Sequence, residues 1–329
     1  MLNRRSALIK SKQLAITFVA CPSLLRAQVV TVTRIIVPFA AGAGSDAVGR
    51  LVAQKLGDLL GSTVVVDNRT GAGGAIGAKF VADSAPDGQT LLLAAAPFTT
   101  VPAALPNAGY DPVRQFAPVG MIASGPLVWA VNKDLPVANM REFVQLARSK
   151  PGYFNYGSAG AGGINHLVLE MLKSRAGIFV THIPYRGIAP ATMDMIGGQI
   201  HLVTGTVPAL NPFIKDGRIK ALAVTSSRRS SALPDVPSMA ESGFAGFDVL
   251  NYFGLMAPRA TPAAVIERLN AALGKVVQLP EVRARFAADA LEPVNGANSS
   301  PAQLARFIEK DFSGWRQVVV AQNLKLDAA

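Results

Sequence analysis

The chain has 329 residues, of which half are hydrophobic and 16% charged, so its length suits two domains with a sizeable buried core. Thirty-two basic residues against 21 acidic ones give a formal net charge of +11. The basic residues do not cluster with interleaved aromatic residues, which argues against nucleic-acid binding and favours small anionic ligands or an acidic surface.

The first 27 residues have the pattern of an export signal. A segment with four lysine and arginine residues precedes a short apolar run, Leu14 to Leu25, and cleavage is expected before Gln28. This run is too short to span a bilayer as a helix, which needs roughly 20 residues. The paired Arg4 and Arg5 are compatible with either the general or the twin-arginine export route. The sequence therefore predicts a signal peptide over residues 1–27 and a periplasmic protein.

The only cysteine, Cys21, lies inside this segment. A lipid-modified cysteine would become the first mature residue, but Phe18-Val19-Ala20 differs from the small residues that usually precede such a site. Cleavage before Gln28 leaves a chain without cysteine, which excludes disulfides, thiol catalysis and cysteine-based metal sites. Because the segment carries five basic residues and no acidic one, its removal lowers the net charge to +6.

The first part of the mature chain alternates predicted strands and helices. Strands are predicted over Thr31–Val37, Thr63–Val66 and Thr90–Ala95, and helices over Asp46–Leu60 and Ala75–Ser84. This β-α-β-α-β order predicts a parallel sheet with helices on its faces.

A proline-rich passage follows, and then the pattern resumes. Further strands are predicted over Leu127–Val131, Phe179–Ile183, Ile200–Thr204, Ile219–Val224 and Asn251–Ala257, and helices over Met140–Ser149, His166–Ala176, Ala189–Ile196, Ala263–Leu279 and Pro301–Gln322. Residues 226–246 are expected to form a loop.

Three glycine-rich segments, 42–44, 71–74 and 160–163, each lie just before a predicted helix. Glycine permits backbone conformations that allow a ligand close approach, and the first amides of a helix have no intrahelical acceptor. Such a turn is suited to binding an anion. Since ligands in open parallel sheets bind beyond the carboxyl ends of the strands, two such units facing each other would enclose a ligand in a cleft. Close strand–helix packing without a ligand also explains glycine at these positions.

Two other classes of function remain open from the residues alone. Residues 42–47 nearly match a dinucleotide-binding fingerprint, with Asp67 near the place of a ribose-binding acid, although residues 38–41 make the turn longer than the fingerprint requires. An exported α/β enzyme is the other alternative. Neither Ser45 nor Ser158 has the flanking glycines of a nucleophile elbow, so no catalytic residue is predicted.

The three histidines, His166, His182 and His201, lack metal-ligand spacing to each other or to a carboxylate cluster. They are expected to be structural or to lie at the rim of a pocket. No metal and no cofactor is predicted.

Several blocks of the sequence resemble one known family, the substrate-binding receptors of tripartite tricarboxylate transporters, also called Bug receptors. Their order and spacing match over nearly the whole mature chain. The similar blocks are Val37 to Asp46, Val66 to Gly77, Ala85 to Leu92, Asn155 to His166, His182 to Ala191 and Leu222 to Arg229.

The resemblance implies a two-domain α/β periplasmic-binding-protein fold of the Venus-flytrap kind, each domain a mainly parallel sheet flanked by helices. Domain 1 would comprise residues 28–125 and 228–329, and domain 2 residues 126–227. The implied ligand is a small mono- or dicarboxylate, held in the interdomain cleft largely by backbone amides, water and hydroxyls. The implied partners are the membrane permease subunits of a tripartite transporter or a sensor protein. A monomer that binds no nucleic acid is expected.

By position, the first loop and the turn at 158–165 would bind a carboxylate from opposite domains, with other segments lining the cleft. The ligand-binding residues implied in this way are Phe39, Ala40, Ala41, Gly42, Ser45, Asp46, Pro97, Phe98, Thr99, Ser158, Ala159, Gly160, Gly162, Gly163, Asn165, Tyr185, Arg186, Gly205 and Thr206.

The sequence also departs from the family pattern. Ala43 replaces what is often a glycine, and His201 and Gly205 stand where acidic residues are common in the family. An ammonium group on the ligand would need such an acid, so a ligand without an amino group is favoured.

Overall fold

The computed structural model describes residues 32–42, 44–294 and 299–324. The expected signal peptide and Ala43 lie outside these residues. The strands are β1 (Val32–Val37), β2 (Thr63–Asn68), β3 (Thr90–Ala95), β4 (Phe116–Asn132), β5 (Asn155–Ser158), β6 (Thr181–Pro184), β7 (Leu202–Thr206), β8 (Ile219–Val224), β9 (Leu250–Pro258) and β10 (Glu292–Pro293). The α-helices are α1 (Gly44–Leu60), α2 (Ala75–Ala82), α3 (Pro97–Ala104), α4 (Met140–Ser149), α5 (Ile164–Ala176), α6 (Ile188–Ile196), α7 (Val207–Lys215), α8 (Ala263–Val276), α9 (Pro280–Ala288) and α10 (Pro301–Ala321). None of these helices is both long and apolar enough to cross a membrane.

The strands follow one path in the order β2-β1-β3-β9-β4-β7-β5-β6, and β8 and β10 also pair with β4. Strand β1 is parallel to β2 and β3, and β5 is parallel to β6 and β7. All pairings of β4 and β9 are antiparallel. The expected parallel strand–helix units are therefore present and are joined through β4 and β9, whose antiparallel orientation the sequence did not indicate.

Strand β4 is 17 residues long and belongs to two sheets. Up to Pro126 it pairs with β9, and from Leu127 onward it pairs with β7 and β8. We call β1, β2, β3, β9, β10 and the first part of β4 the first sheet. The second sheet consists of β5 to β8 and the rest of β4.

The core explains why β3 is apolar along its whole length. Leu91, Leu92 and Leu93 have no exposed surface, so both faces of this strand are covered, as is usual for strands flanked by helices on both sides. The buried residues of β3 divide between two hydrophobic clusters. One of these clusters also contains Trp129 and Leu202 of the second sheet, so a single core runs through both sheets.

Most predicted elements are confirmed, with shifts of about two residues at β6 and β7, whereas three helices were missed. These helices, α3, α7 and α9, each have a proline at the first or second helical position. Proline at this position does not break a helix, because the amide it lacks would have no intrahelical acceptor. The predicted single helix over 263–279 is thus corrected to α8, followed by α9.

The first part of β4 was also missed, because Pro118, Gly120 and Gly125 read as a loop. The strand accommodates these residues with irregular register between Pro118 and Gly120 and between Met121 and Ala123. A bulge provides an unpaired position that tolerates residues ordinarily excluded from a ladder.

Candidate ligand-binding site

The first loop connects β1 to α1 and is held by the carboxylate of Asp46. Oδ2 of Asp46 accepts hydrogen bonds from the Gly42 amide and from Nε of Arg50, both at 2.9 Å. Oδ1 accepts a third bond, also of 2.9 Å, from Nδ2 of Asn68. Burial alone would raise the pKa of Asp46, but these bonds and the positive charge of Arg50 outweigh it and lower the pKa to about 2.

Asn68 completes this arrangement from the end of β2. Its Nδ2 also donates to the backbone oxygen of Phe39 at 2.9 Å, and its Oδ1 accepts from Nη2 of Arg50 at 3.2 Å. The predicted residues Ala40, Ala41 and Gly42 are exposed at the tip of the loop, and Ser45 is half-buried. Asp46 therefore fixes the loop, and its carboxylate already accepts three hydrogen bonds from the protein.

The second turn follows β5 and precedes α5. The hydroxyl of Ser158, which is fully buried, lies 2.6 Å from Nε2 of His182 and 3.1 Å from both the amide and the carbonyl oxygen of Gly160. Nδ1 of His166 accepts a 3.1 Å hydrogen bond from the Gly162 amide. The side chain of Asn165 donates to the carbonyl oxygen of Thr204, which ties the start of α5 to the end of β7.

A stack of three rings lies behind this turn. His182 stacks on His166 with ring centroids 3.9 Å apart and on Tyr156 at 4.9 Å. The Tyr156 hydroxyl donates to the buried Glu170 at 2.8 Å, and Lys173 pairs with the same carboxylate at 2.7 Å. Burial lowers the pKa of His166 to about 4 and that of His182 to about 3, so both rings are neutral near pH 7.

The Ser158–His182 contact joins the atoms of a nucleophile–base pair, but a substrate could not reach them. Ser158 has no exposed surface, and both faces of the His182 ring are covered by other rings. Within the described chain no carboxylate is hydrogen-bonded to His182. This arrangement orients the turn and does not present a nucleophile to a substrate.

Two of the predicted residues of α3, Phe98 and Thr99, have buried side chains. Thr99 has no exposed surface, and its hydroxyl donates to Oδ2 of Asp311 at 2.6 Å and lies 3.2 Å from the Tyr252 hydroxyl. Phe98 packs against Tyr110, with ring centroids 5.6 Å apart. Only the half-buried Pro97 and the backbone of this segment are left to contact a ligand.

Two of the glycine-rich segments contact α3, and the first loop lines a cavity with it through Phe39. Phe39 of the first loop, Gly74 and Phe98 line one small, mostly apolar cavity. A Cβ on Gly73 would lie 2.9 Å from Val101, and a Cβ on Gly162 would lie 3.3 Å from that of Ala104. Phe98 and Ala104 are six residues apart, about 9 Å along a helix. The first loop and the second turn are therefore brought to the two ends of one short helix.

The remaining predicted residues surround the second turn. The amide of Tyr185 donates to the Ser158 carbonyl oxygen at 3.1 Å, while its hydroxyl donates to Asp194 at 2.8 Å. Arg186 is exposed, and its side chain has no hydrogen bond or ion pair to any described residue. Thr206 is half-buried at the start of α7.

Close packing explains why residue 205 is a glycine, since a Cβ there would lie 3.0 Å from the side chain of Leu210. Next to it, the buried hydroxyl of Thr204 has no hydrogen-bond partner among the residues that the structure describes. It is the polar group nearest to Gly205 in sequence that is left free to bind a ligand or water.

Several backbone amides at the two turns also remain free. In the first loop the amides of Gly44 and Ser45 donate to no acceptor within the described chain. The same holds for Ala159, Ala161 and Ile164 in the second turn. These amides belong to or adjoin the starts of α1 and α5, where the helix dipole adds a positive potential, so each turn can accept an anionic group.

Asp67, the acid of the dinucleotide alternative, forms an ion pair with Arg69 at 3.0 Å. No group of three or more potential metal ligands occurs within residues 32–42, 44–294 and 299–324.

The sequence-based site did not include Arg50, Asn68 and His166, which hold the two turns. The spacing of Asp46 and Arg50 on one helix could have indicated their ion pair. The bonds made by Asn68 and His182 join residues 18 or more positions apart, and no local pattern indicates them.

Comparisons with known proteins agree with this geometry. The sequence profile of the tripartite tricarboxylate transporter family receptors (TctC) matches residues 48–324. The chain is 35% identical over 295 residues to the protein BugT of Bordetella pertussis, a match that covers 89% of this chain and 90% of BugT.

Solved structures show the same fold. The periplasmic binding protein BugD superposes with a TM-score of 0.81 at 34% identity, over 89% of this chain and 98% of BugD. Rpa4515 of Rhodopseudomonas palustris, solved with adipate, gives a TM-score of 0.82 at 32% identity over 88% of this chain and 97% of that one. MatC of the same organism, solved with malate, gives 0.81 at 30% identity over 88% and 98%. The periplasmic-binding-protein fold expected from the sequence is thus confirmed, and the chain belongs to the tripartite tricarboxylate transporter receptor family, a family of solute-binding proteins.

Proposed function

We propose that this protein is a periplasmic receptor that binds a small mono- or dicarboxylate between two α/β domains and is not an enzyme. The observation that carries the proposal is the pair of glycine turns, each at a helix start with amides that have no acceptor in the described chain. A carboxylate accepts charge-assisted hydrogen bonds, which are stronger than neutral ones, so amides suffice without a cluster of basic side chains. The relatives solved with malate and adipate support a dicarboxylate.

The proposed domains are residues 28–125 with 228–329, and residues 126–227. The change of partners along β4, between Pro126 and Leu127, supports the first boundary. The chain returns to the first sheet between Thr225 and Leu250, and the boundary at 227/228 lies within this return. Leu233 and Val236 of the returning segment pack with residues of the second sheet.

Within this proposal the predicted site residues fall into two kinds. The exposed or half-buried Ala40, Ala41, Gly42, Ala159 and Arg186 are available to a ligand. The buried Asp46 and Ser158 hold the two turns that carry free amides, and the buried Phe98 and Thr99 belong to α3.

A ligand screen tests the proposal. The melting temperature of the purified protein is measured with malate, adipate, a monocarboxylate, citrate, an amino acid and NAD. A ligand at 100 times its Kd stabilises the native state by about 2.7 kcal/mol, so a mono- or dicarboxylate is expected to raise the melting temperature. Stabilisation by NAD and by no carboxylate would overturn the proposal. Mass spectrometry of small molecules that copurify with the protein would identify the ligand directly.

We further propose that the receptor is exported with cleavage before Gln28 and delivers its ligand to the permease subunits of a tripartite transporter. Amino-terminal sequencing of the exported protein is expected to begin at Gln28. Deletion of the gene is expected to abolish uptake of the carboxylate that the purified receptor binds, and re-expression to restore it. Unchanged uptake after deletion, with binding intact, would favour a sensor partner instead.

A further inference from the structure

The two glycine turns are held by the same kind of hydrogen bond, from a glycine amide to a side chain of the following helix. In the first loop the Gly42 amide donates to the side chain of Asp46, and in the second turn the Gly162 amide donates to the side chain of His166. In both turns the acceptor is four residues after the glycine and is the third residue of the following helix. The two glycines also share a left-handed conformation, with φ of +83° for Gly42 and +74° for Gly162.

This hydrogen bond resembles the one in a capping box, but its donor lies one residue further from the helix. In a capping box the side chain of the third helical residue accepts the amide of the N-cap residue. Gly163 is the N-cap of α5, so His166 accepts an amide one residue further out. The hydrogen bond draws the glycine back toward the helix. The neighbouring amides of Ala161 and Ile164 are left without an acceptor in the described chain, next to the positive end of the helix dipole.

We infer that His166 is the positioning residue of the second turn and the counterpart of Asp46 in the first, so that each side chain aims the free amides of its turn at an anionic group of the ligand. The inference rests on the proposed function. It assigns a role to a histidine that the sequence pattern indicated only as structural or at the rim of a pocket.

The two acceptors differ in chemistry. Asp46 accepts as a carboxylate, whose low pKa of about 2 keeps it charged well below neutral pH. His166 accepts through Nδ1, which is possible only while that nitrogen carries no proton, so its proton lies on Nε2, 3.8 Å from Oε1 of Glu170. A doubly protonated ring would present a donor to the Gly162 amide and the bond would be lost.

The groups around His166 keep its ring neutral. His182 on β6 stacks on it, Tyr156 on β5 lies beyond His182, and Glu170 and Lys173 lie on α5 itself. Burial and the charge of Lys173 lower its pKa to about 4. Ligand affinity is therefore expected to fall as the pH approaches this value. The loss arises in the second turn, because the bond to Asp46 in the first loop persists.

Two substitutions at this position separate the hydrogen bond from the ring. His166→Asn places an amide oxygen near the position of Nδ1 and retains an acceptor that does not titrate, whereas His166→Leu retains apolar bulk without an acceptor. Kd values for malate and adipate are measured by calorimetry at pH 7. We expect His166→Leu to raise the Kd at least tenfold and His166→Asn to raise it less than threefold.

His201→Leu is the matched control, since His201 also lies in the second sheet region but bonds to Asn155, at the opposite end of β5 from the turn. This control is expected to leave the Kd unchanged. Equal affinity of wild type and His166→Leu, or equal loss in both His166 variants, would overturn the inference. If the wild type binds neither probe nor any other carboxylate, the proposed function fails instead.

A pH series gives a readout that a merely structural role would not change. The ratio of the wild-type Kd to that of His166→Asn is measured from pH 7 to pH 3.5, because the titration of the ligand cancels in this ratio. Because the pKa of His166 is about 4, we expect the ratio to rise only slightly by pH 4.5 and about fourfold by pH 3.5. A ratio that stays constant would overturn the inference, even if His166→Leu fails to fold.

Discussion

At the scale of single residues, Gly42 and Gly198 form a natural comparison. Both have positive φ, +83° and +78°, and at both positions an added Cβ would meet no atom within 4 Å. Alanine in a left-handed conformation costs about 1 kcal/mol, so Gly42→Ala and Gly198→Ala are expected to lower the free energy of unfolding by similar amounts. Urea unfolding followed by circular dichroism measures this.

Only Gly42→Ala is expected to weaken carboxylate binding, because Gly42 lies at the tip of the first loop and Gly198 in the turn before β7. Calorimetry with malate or adipate measures the difference. If both variants bind like the wild type, the first loop is not part of the site.

Asp311 is a buried carboxyl on α10, and its ionisation is expected to make the free energy of unfolding depend on pH. Burial raises its pKa to about 6, although the hydrogen bonds from Thr99 and Trp315 partly oppose this shift. A carboxyl with a raised pKa contributes stability that is fully present below its unfolded-state pKa of 3.8 and is lost as the pH rises through about 6. As the pH falls from 7 to 5, the contribution of Asp311 to the free energy of unfolding is expected to grow by about 1 kcal/mol.

The histidine pair acts in the opposite direction, so Asp311 has to be isolated by a variant. His166 and His182 have lowered pKa values, and their contribution is lost as the pH falls below 6.5, the value of an unperturbed histidine. Asp311→Asn leaves the histidines unchanged. The wild-type free energy of unfolding minus that of Asp311→Asn is expected to rise from pH 7 to pH 5. A flat difference would show that Asp311 titrates normally.

At the scale of elements, α3 depends on a hydrogen bond from outside the helix. Pro102 has no amide, so the carbonyl oxygen of Phe98, four residues earlier, has no donor within α3. The Tyr110 hydroxyl donates to this oxygen at 2.9 Å. Tyr110→Phe leaves a buried carbonyl oxygen unsatisfied and is expected to destabilise the protein by about 1–3 kcal/mol.

A double-mutant cycle checks this explanation. Pro102→Ala restores an amide that can reach the Phe98 oxygen, so Tyr110→Phe is expected to cost less in that background. Tyr153→Phe is the control, since the Tyr153 ring is exposed and its hydroxyl has no hydrogen bond to the described chain, and it is expected to change stability by less than about 0.5 kcal/mol. Equal costs of Tyr110→Phe in both backgrounds would contradict the explanation.

The same helix shows what the sequence could and could not predict. Strands such as β1 and β3 and helices such as α1 and α5 have a clear hydrophobic period and were found within a few residues. Helix α3 begins at Pro97, a residue that suggests a loop, although proline at the first helical position is compatible with a helix.

The candidate site, too, could be predicted from the sequence only in part. The glycine turns could be found because their composition is local, and the family resemblance implied a role for them that stays a prediction. The residues that hold them could not, because Asn68 reaches the first loop from 29 residues away, and His182 reaches Ser158 from 24. Local periodicity contains no information on such pairs, which arise only when strands from different units become neighbours.

At the scale of the whole molecule, β4 prevents the two sheets from behaving as independent units. Its first part pairs with β9 of the first sheet, and its second part pairs with β7 and β8 of the second. One hydrophobic cluster includes Leu92 from the first sheet and Leu202 from the second. Loss of either sheet would expose part of a shared core, so we expect the protein to unfold in one cooperative transition.

The two tryptophans allow this to be measured. Trp129 lies on β4 in the second sheet, and Trp315 lies on α10, bonded to Asp311 at 3.1 Å. Trp315→Phe leaves a fluorescent reporter for the second sheet, and Trp129→Phe leaves one for the region of α10. In each variant the urea midpoint from fluorescence is expected to equal that from circular dichroism, because coincident transitions are the mark of two-state unfolding. A fluorescence midpoint that precedes the dichroism midpoint in one variant only would show that the region around the remaining tryptophan unfolds separately, despite the strand and the core that the two sheets share.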